Sequence, residues 1–575
     1  MAAAGTSQRA RALRTWLLPL SILSSAALAV FVLTFYVDAS ADPDPRHVFG
    51  LLLHPNPASA ANTLSNAGEV VAAVLAIAIT VVAIIVELAS NRYTHRITEL
   101  FIAEPTNFLV MGFFVLTALQ SLFVTLVFDW RDGHGGFVPY LGIATSMGML
   151  TVCLLILLPY FAFVFSFLNP ISIVSRIRQH TLDVIKGTPG RTQVDRVKQE
   201  AVRGIEQLSD VAMNAMEHND KGVSMASVDA LRTLVVDYQR MRSLLPEPWY
   251  RVDTELARNP DFVSMSTEVL DEVLARRIWL EMKVLRQYQM LYNEALNNMR
   301  DINYSVSHNT RLMAGAALAC GNTELFDLCV KFFNTYLRAT INARDVRTAY
   351  NVLNQYRLLA ESVLLLEGGA RAVEIARYFK YYGLLSFNAK LPFILETVAY
   401  DLCALNEIAF DQKSLASREL LRIFLQVDKE SEGEVQETSL RGVRKAQVKL
   451  ATYYLVRGDE TLAREVHKDM STERPERLAS IRDELLNVST REFWEISDRG
   501  VNFDYLPPDR KAKMLFFFEW FGDLLPPRAS VLLTVSGEMQ AVRSPEGAHS
   551  QATARGSGDP PQPSLHPAPG SGREP

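Results

Sequence analysis

Apolar positions are distributed along the chain in two regimes that meet near residue 170. In the first, uninterrupted apolar runs cover Trp16–Val37, Val70–Ser90, Phe108–Phe128 and Tyr140–Leu168. At about 1.5 Å rise per residue, some 20 such residues match a hydrocarbon core of roughly 30 Å. The pattern therefore predicts four membrane-spanning helices (16–37, 70–90, 108–128 and 140–168), forming a transmembrane domain over 16–168 behind an N-terminal segment 1–15. Arg9, Arg11 and Arg14 precede the first run as they would in a signal peptide. That run exceeds the usual h-region of about 7–15 residues, and SADPDP is a poor cleavage site, so it is read as a retained anchor.

In the second regime, charged residues interrupt the apolar ones at helical spacing with almost no alternation, which predicts helices throughout. Val273 to Asn298 reads as one long amphipathic helix whose Met and Tyr stripe faces the core. Three segments then resemble one another: ALACGNTELFDLCVKFF around Gly321, LLLEGGARAVEIARYF around Gly368 and YYLVRGDETLAREVHKD around Gly458. The glycines are 47 and 90 residues apart, and IAFDQKSLASRELLRIF around Asp411 lies near the midpoint of the longer gap. A period of roughly 45 residues suits two-helix solenoid units. The turn chemistry resembles that of tetratricopeptide hairpins, although the period exceeds their 34 residues. The expected organisation is a helical connector over 169–300, a helical-hairpin repeat domain over 301–525 and a disordered tail over 526–575, rich in Pro, Gly and Ser. FFFEWFGDLLPP, just before the tail, reads as a cap on the stack. The fold class is all-α, a four-helix transmembrane domain followed by an α-solenoid-like domain.

Loop charges set the expected orientation. Arg9, Arg11, Arg14, Arg92, Arg96, Arg176, Arg178 and Lys186 flank one set of span ends. The opposite ends carry only Arg46 and Arg131 among several aspartates. Positive residues are retained on the cytoplasmic side, so both termini are expected there, in an inner cell membrane. Within the spans the candidate polar residues are Thr80 and Glu87 in the second and Thr117 and Gln120 in the third. An intramembrane acid is a functional-site hypothesis by default. Glu87 lies within a turn of the expected cytoplasmic surface, however, where it reaches headgroup water. With Arg92, His95 and Arg96 it forms either a polar mouth or a lipid-headgroup anchor.

The residues Ala89-Ser90-Asn91-Arg92-Tyr93-Thr94-His95-Arg96 resemble a signature of a bacterial family of predicted integral membrane proteins of unknown function. That family carries Ala-Ser-x-x-aromatic-Ser-Pro-Arg at this place. Ala89, Ser90, Tyr93 and Arg96 match, Thr94 and His95 replace Ser and Pro, and Glu87 stands where Gln is common. A weaker likeness runs from Leu208 to Ala226, where Asn219 and Asp220 match an inter-helix turn. The resemblance covers roughly residues 60 to 240 and implies a membrane topology, not an activity.

Composition narrows the functional classes. The net charge is -5, with 58 Lys+Arg against 63 Asp+Glu, and no basic stripe with interleaved aromatics suggests a nucleic-acid partner. Cys153, Cys320, Cys329 and Cys403 form no CxxC pair and read as buried free thiols. Neither phosphate-loop, dinucleotide, zincin nor nucleophile-elbow patterns occur, so no enzyme activity, metal or cofactor is expected. Clusters around His218 and His308 sit at helix boundaries and read as caps. The expected function is a membrane protein, in contact with the lipid bilayer, that presents its helical-repeat domain to a protein partner for recruitment or sensing. The alternative is a small homo-oligomeric channel or transporter lined by Thr80, Glu87, Thr117 and Gln120.

Overall fold

The computed structural model describes residues 57–92, 98, 101–102, 104–127, 139–188, 194–251, 254–427, 436–492, 499–500 and 502–522. The expected first span, His95, Arg96, the side chain of Arg92 and the expected tail lie outside the described residues, so a fourth span is neither added nor removed. Among the described residues every regular element is helical.

Three helices here are long and apolar enough to cross a membrane: α1 (Pro57–Arg92), α2 (Pro105–Val127) and α3 (Tyr140–Phe167). α1 begins well before the expected span because nothing between Pro57 and Glu69 breaks a helix and Pro57 suits a first helical position. α3 runs through Pro159 as a single element. The three pack mutually. Their shared interior holds Phe114, Thr117, Ser121, Ser146, Cys153 and Val164, while Ile77, Leu88, Phe108, Leu116 and Phe165 face outward. Only 22–28 % of each apolar window is buried inside the protein, which leaves most of this surface for a nonaqueous environment.

Asn169 ends the apolar region by capping α4 (Pro170–Lys186), its side chain accepting from the Ile171 N–H at 3.0 Å. Next come α5 (Val194–Glu217) and α6 (Lys221–Gln239), which pack with α4 as a three-helix group. The expected long helix over 273–298 is instead two, α7 (Thr267–Ala275) and α8 (Trp279–Asn298). Arg277 between them has φ +58, and the Ile278 N–H reaches back to the Val273 carbonyl at 3.1 Å, closing a C-cap that carries no glycine signal. The break lets Trp279 pack on Trp249, ring centroids 5.0 Å apart, and donate to the Trp249 carbonyl. The expected core stripe of α8 holds at Tyr288 and Tyr292, both fully buried, whereas Met290 is 40 % exposed.

From there the helices alternate between two layers. The sequential elements are α9 (Arg300–Ala319), α10 (Thr323–Asn342), α11 (Val346–Ser362), α12 (Ala370–Asn388), α13 (Pro392–Asp411), α14 (Ser417–Phe424) and α15 (Gln436–Val456). α6, α9, α11, α13 and α15 pack in succession as a first layer, and α8, α10, α12 and α14 as a second. First-layer helices start at 300, 346, 392 and 436, a spacing of about 45 residues. The regular stacking thus reaches back to α6, before residue 301. α16 (Glu460–Met470), α17 (Pro475–Asn487) and α18 (Pro508–Glu519) finish the chain, with α18 packed on α15 and α17. Phe517 and Phe518 of α18 are buried there.

One turn design joins most of these helices. At Asn219, Gly321, Arg344, Lys390, Lys413 and Gly458 φ is positive, and the following N–H bonds the carbonyl five residues back. That is the Schellman arrangement, which satisfies carbonyls a helix end leaves open. Asp220, Asn322, Asp345 and Asp459 then cap the next helix through their side chains. Asn219 and Asp220 accordingly form the turn between α5 and α6. Cys153, Cys329 and Cys403 are buried, but Cys320 is exposed because it is the C-cap of α9 at a surface turn.

Candidate functional site

The face of the first layer turned away from the second carries a group of polar and aromatic side chains. Helical spacing brings Tyr304 on α9, Arg347, Tyr350, Asn351, Asn354 and Arg357 on α11, and Phe393, Glu396 and Tyr400 on α13 onto it. Over α11 to α15 this face is partly covered by the chain itself. A non-helical strap, described at Arg499, Gly500 and from Asn502 to Pro507, crosses it before α18 begins.

The strap contacts use polar and aromatic groups of the first layer. Both terminal nitrogens of the Arg499 guanidinium donate to the Asp401 carboxylate, Nη2 at 3.1 Å, and Nη2 also donates to the Tyr350 carbonyl at 2.8 Å. Its guanidinium lies 4.2 Å from the centroid of the Tyr350 ring. Arg357 Nε lies 3.3 Å from the same carboxylate, and Arg357 pairs in addition with Glu361. Phe503 stacks on Tyr400, centroids 4.6 Å apart at 12°, and touches Tyr350. Asp504 accepts from the Tyr400 hydroxyl at 2.5 Å and from Lys445 Nζ at 2.7 Å, and Lys449 donates to the Phe503 carbonyl at 2.9 Å. Beyond it, Arg510 grips Glu407 through two bonds of 2.7 and 3.0 Å. Burial pushes the Tyr400 hydroxyl well above its ordinary range, with Asp504 adding to the effect, and pushes Lys449 down.

Glu396 lies under the strap. Burial, then the Asp504 charge, raise its pKa above the ordinary value, partly offset by Lys445. A carboxyl raised in the folded state binds more protons there than in the unfolded chain. Stability is therefore greatest below the ordinary carboxyl range and falls as pH climbs through the raised value. Glu396→Gln should be more stable than the natural chain at pH 7, with the advantage shrinking towards pH 4.5. Thermal melts across that range check it, and an advantage that grows on acidification contradicts it.

Past the strap, where α9 and α11 face each other, the same layer opens into a polar cavity of about 700 Å³ whose walls include Asn297, Arg300, Tyr304, Arg347, Asn351 and Asn354. Asn354 links cavity and strap, since its Oδ1 accepts from Arg357 Nη2 at 3.0 Å.

The residues expected at the membrane end are distributed differently. Glu87 is exposed near the C-terminal end of α1, beside an apolar cleft of about 500 Å³ formed with Val82, Val86, Phe101 and Met111. Thr80 is also exposed, its hydroxyl donating to the Ala76 carbonyl at 2.8 Å. Thr117 is fully buried between α2 and α3, where the Cys153 thiol donates to its hydroxyl at 3.3 Å. Gln120 is half-buried. Within one chain, therefore, Thr80 and Glu87 share an outward face of α1, and Thr117 does not join them. Around the same end sits a group that was not anticipated. Asn107 donates to the Phe101 carbonyl and accepts from the Tyr160 hydroxyl, Phe101 meets Phe167 edge-on, and the Arg176 guanidinium lies 3.9 Å over the Phe167 ring. Burial lowers the Arg176 pKa, with Glu104 opposing. These contacts join α3, α4 and the segment before α2. His218 caps the end of α5 by bonding the Asn214 carbonyl at 2.8 Å, and His308 stacks on Tyr304.

The strap residues Arg499, Phe503 and Asp504, and the cavity residues Arg347 and Tyr304, were not singled out by sequence. A usable signal was present in VNFDYLPP, a Pro-terminated stretch too aromatic for a solvated loop.

Residues 13–203 match a family described as predicted membrane protein (DUF2254), one of unknown function. The matched region takes in the Ala89–Arg96 signature and all three apolar helices and stops within α5, so it excludes the weaker likeness at Leu208–Ala226 and the whole two-layer stack. No curated protein and no solved structure matches the chain.

Proposed function

We infer that this membrane protein recruits a protein partner, holding its helical stack at the cytoplasmic face and taking a non-helical segment of the partner onto the open part of the first-layer surface. The observation that carries this reading is the strap. It is a non-helical segment, turned at Asn502–Tyr505, held on that surface by side-chain pairing at Arg499 and Asp504 and by ring stacking at Phe503, and the described residues leave the α9 to α11 portion and Phe393 uncovered. Phe393 and Tyr304, 44 % and 42 % exposed on the same surface, are aromatic anchors of the kind that interfaces concentrate. The loop charges support the cytoplasmic placement of the stack.

A photo-crosslinking residue in place of Phe393, in the full-length chain in its own membrane, tests the reading. The expected result is an adduct with one discrete protein, reduced when Tyr304 is replaced by alanine. Adducts only within the chain itself would overturn it. A second reading, an oligomeric conduction path, draws on Thr80 and Glu87 sharing an outward face of α1. Ion flux in proteoliposomes that Glu87→Gln abolishes would favour that path over recruitment.

A further inference from the structure

The cavity between α9 and α11 holds more hydrogen-bond donors than the protein uses. Arg347 projects at its wall with no ion pair or hydrogen bond to any described residue, and Asn297 and Asn351 are likewise without partners among the described residues. Asn354 is engaged only as an acceptor, which leaves its amide N–H groups free. The Tyr304 ring is held flat against His308, centroids 6.1 Å apart at 17°, with its hydroxyl unbonded. The first turn of α9, which opens the cavity floor at Arg300, has no side-chain cap.

The acids nearby are already neutralised. Asp345 accepts from Arg300 Nε at 2.8 Å and caps the Thr348 N–H at 3.1 Å, and Asp301 pairs with Lys221 at 2.5 Å. Among the described residues, what remains is one uncompensated guanidinium with amide and phenol donors around it, in a space of about 700 Å³. Pockets of roughly 300–1,000 Å³ hold small organic molecules, and a guanidinium fork matches a carboxylate or phosphate. An acidic wall would be needed for a cation, and an apolar one for a hydrophobic ligand.

We propose that this cavity binds a small organic oxyanion, its carboxylate or phosphate paired with Arg347 and its body held by Asn351, Asn354 and the exposed face of Tyr304. The cavity shares Tyr304 with the proposed recruitment surface, while Phe393 and the strap lie outside its wall, so Arg347 and Phe393 report on the two readings separately. A ligand there bridges α9 and α11, two successive first-layer helices, so occupancy stiffens the stack at the uncovered part of its face.

The test uses the full-length chain in lipid nanodiscs, followed by tryptophan fluorescence on heating. The probes are citrate, AMP and glycerol 3-phosphate, with adenosine and glycerol as uncharged controls and chloride to match ionic strength. At least one oxyanion should raise the melting temperature saturably while its uncharged counterpart does not. Citrate acting alone identifies a carboxylate ligand, and the phosphates acting alone a phosphate ligand. Arg347→Ala should weaken that binding by about tenfold or more, the scale of one charge-assisted contact, and Arg347→Lys should restore part of it. Because Arg347 is exposed and unpaired, neither variant disturbs folding, which circular dichroism verifies. Absence of any shift with all three oxyanions, or a shift unchanged in Arg347→Ala, would overturn the proposal. Loss of the Phe393 crosslink with oxyanion binding intact would overturn recruitment alone.

Discussion

Arg499→Ala is expected to destabilise the helical stack by about 3 kcal/mol, the lower end of the range for removing one member of a buried ion pair. Asp401 is 2 % exposed at its side chain and Arg499 7 %, so the pair is buried and the variant strands a carboxylate in a largely desolvated position. It keeps only Arg357 at 3.3 Å, which Glu361 already shares, and this residual partner places the estimate at the low end. The variant also loses the bond to the Tyr350 carbonyl and the packing of the guanidinium on that ring. Chemical denaturation of the detergent-solubilised chain, followed by circular dichroism, measures the loss. Lys186→Ala serves as the contrast, because its pair with Asp183 is at least half exposed on both sides and should be worth under about 1 kcal/mol. If Asp401→Asn restores stability to Arg499→Ala, the loss arose from the stranded charge; if the two losses simply add, the pair was not coupled.

That a strap would lie on α11 and α13 could not be read from the chain, for a definite reason. Arg499 and Asp401 are about a hundred positions apart, and nothing in local periodicity reports a contact at that separation. The apolar helices were legible because span length is fixed by the bilayer, and their ends fall within a few residues of expectation except at Pro57. The repeat was legible only at turns bearing Gly321, Gly368 and Gly458, with Asp411 between. The intervening turns use Arg344 and Lys390 at φ +56 and +60, and a basic residue in the left-handed region leaves no sequence signature. Arg277 hid the break before α8 in the same way. Glycine thus marked the turns at Gly321, Gly368–Gly369 and Gly458, whereas Arg344, Lys390 and, within the α13–α14 hairpin, Lys413 close with the same backbone bonds as Gly321 and Gly458 without that signal. For the cavity the difficulty was the opposite. Asn297, Arg347 and Asn351 each look like ordinary solvated positions on a helix, and only the packing of α9 beside α11 collects them.

The turn at Gly369 offers a test of whether glycine there answers to backbone angle alone or also to space. Gly369 has φ +82, and Gly458, at the equivalent turn of the last hairpin, has φ +83. Their surroundings differ. A Cβ on Gly458 would meet nothing within 4 Å, whereas one on Gly369 would lie 2.6 Å from Ala416 Cβ and 3.0 Å from both the Leu364 carbonyl and the Ser414 hydroxyl. Those last two are bonded to each other at 2.7 Å, tying the α11 end to the start of α14, so neither is free to withdraw. Gly458→Ala should therefore cost about 1 kcal/mol, the left-handed penalty alone. Gly369→Ala adds a clash with well-packed neighbours and should cost about 3 kcal/mol or more. Paired denaturation curves of the two variants separate the contributions, since the backbone terms cancel in the difference. Equal losses would mean that the α14 start yields freely around residue 416, and that the close approach of the two hairpins at this point contributes nothing to the stability of the stack.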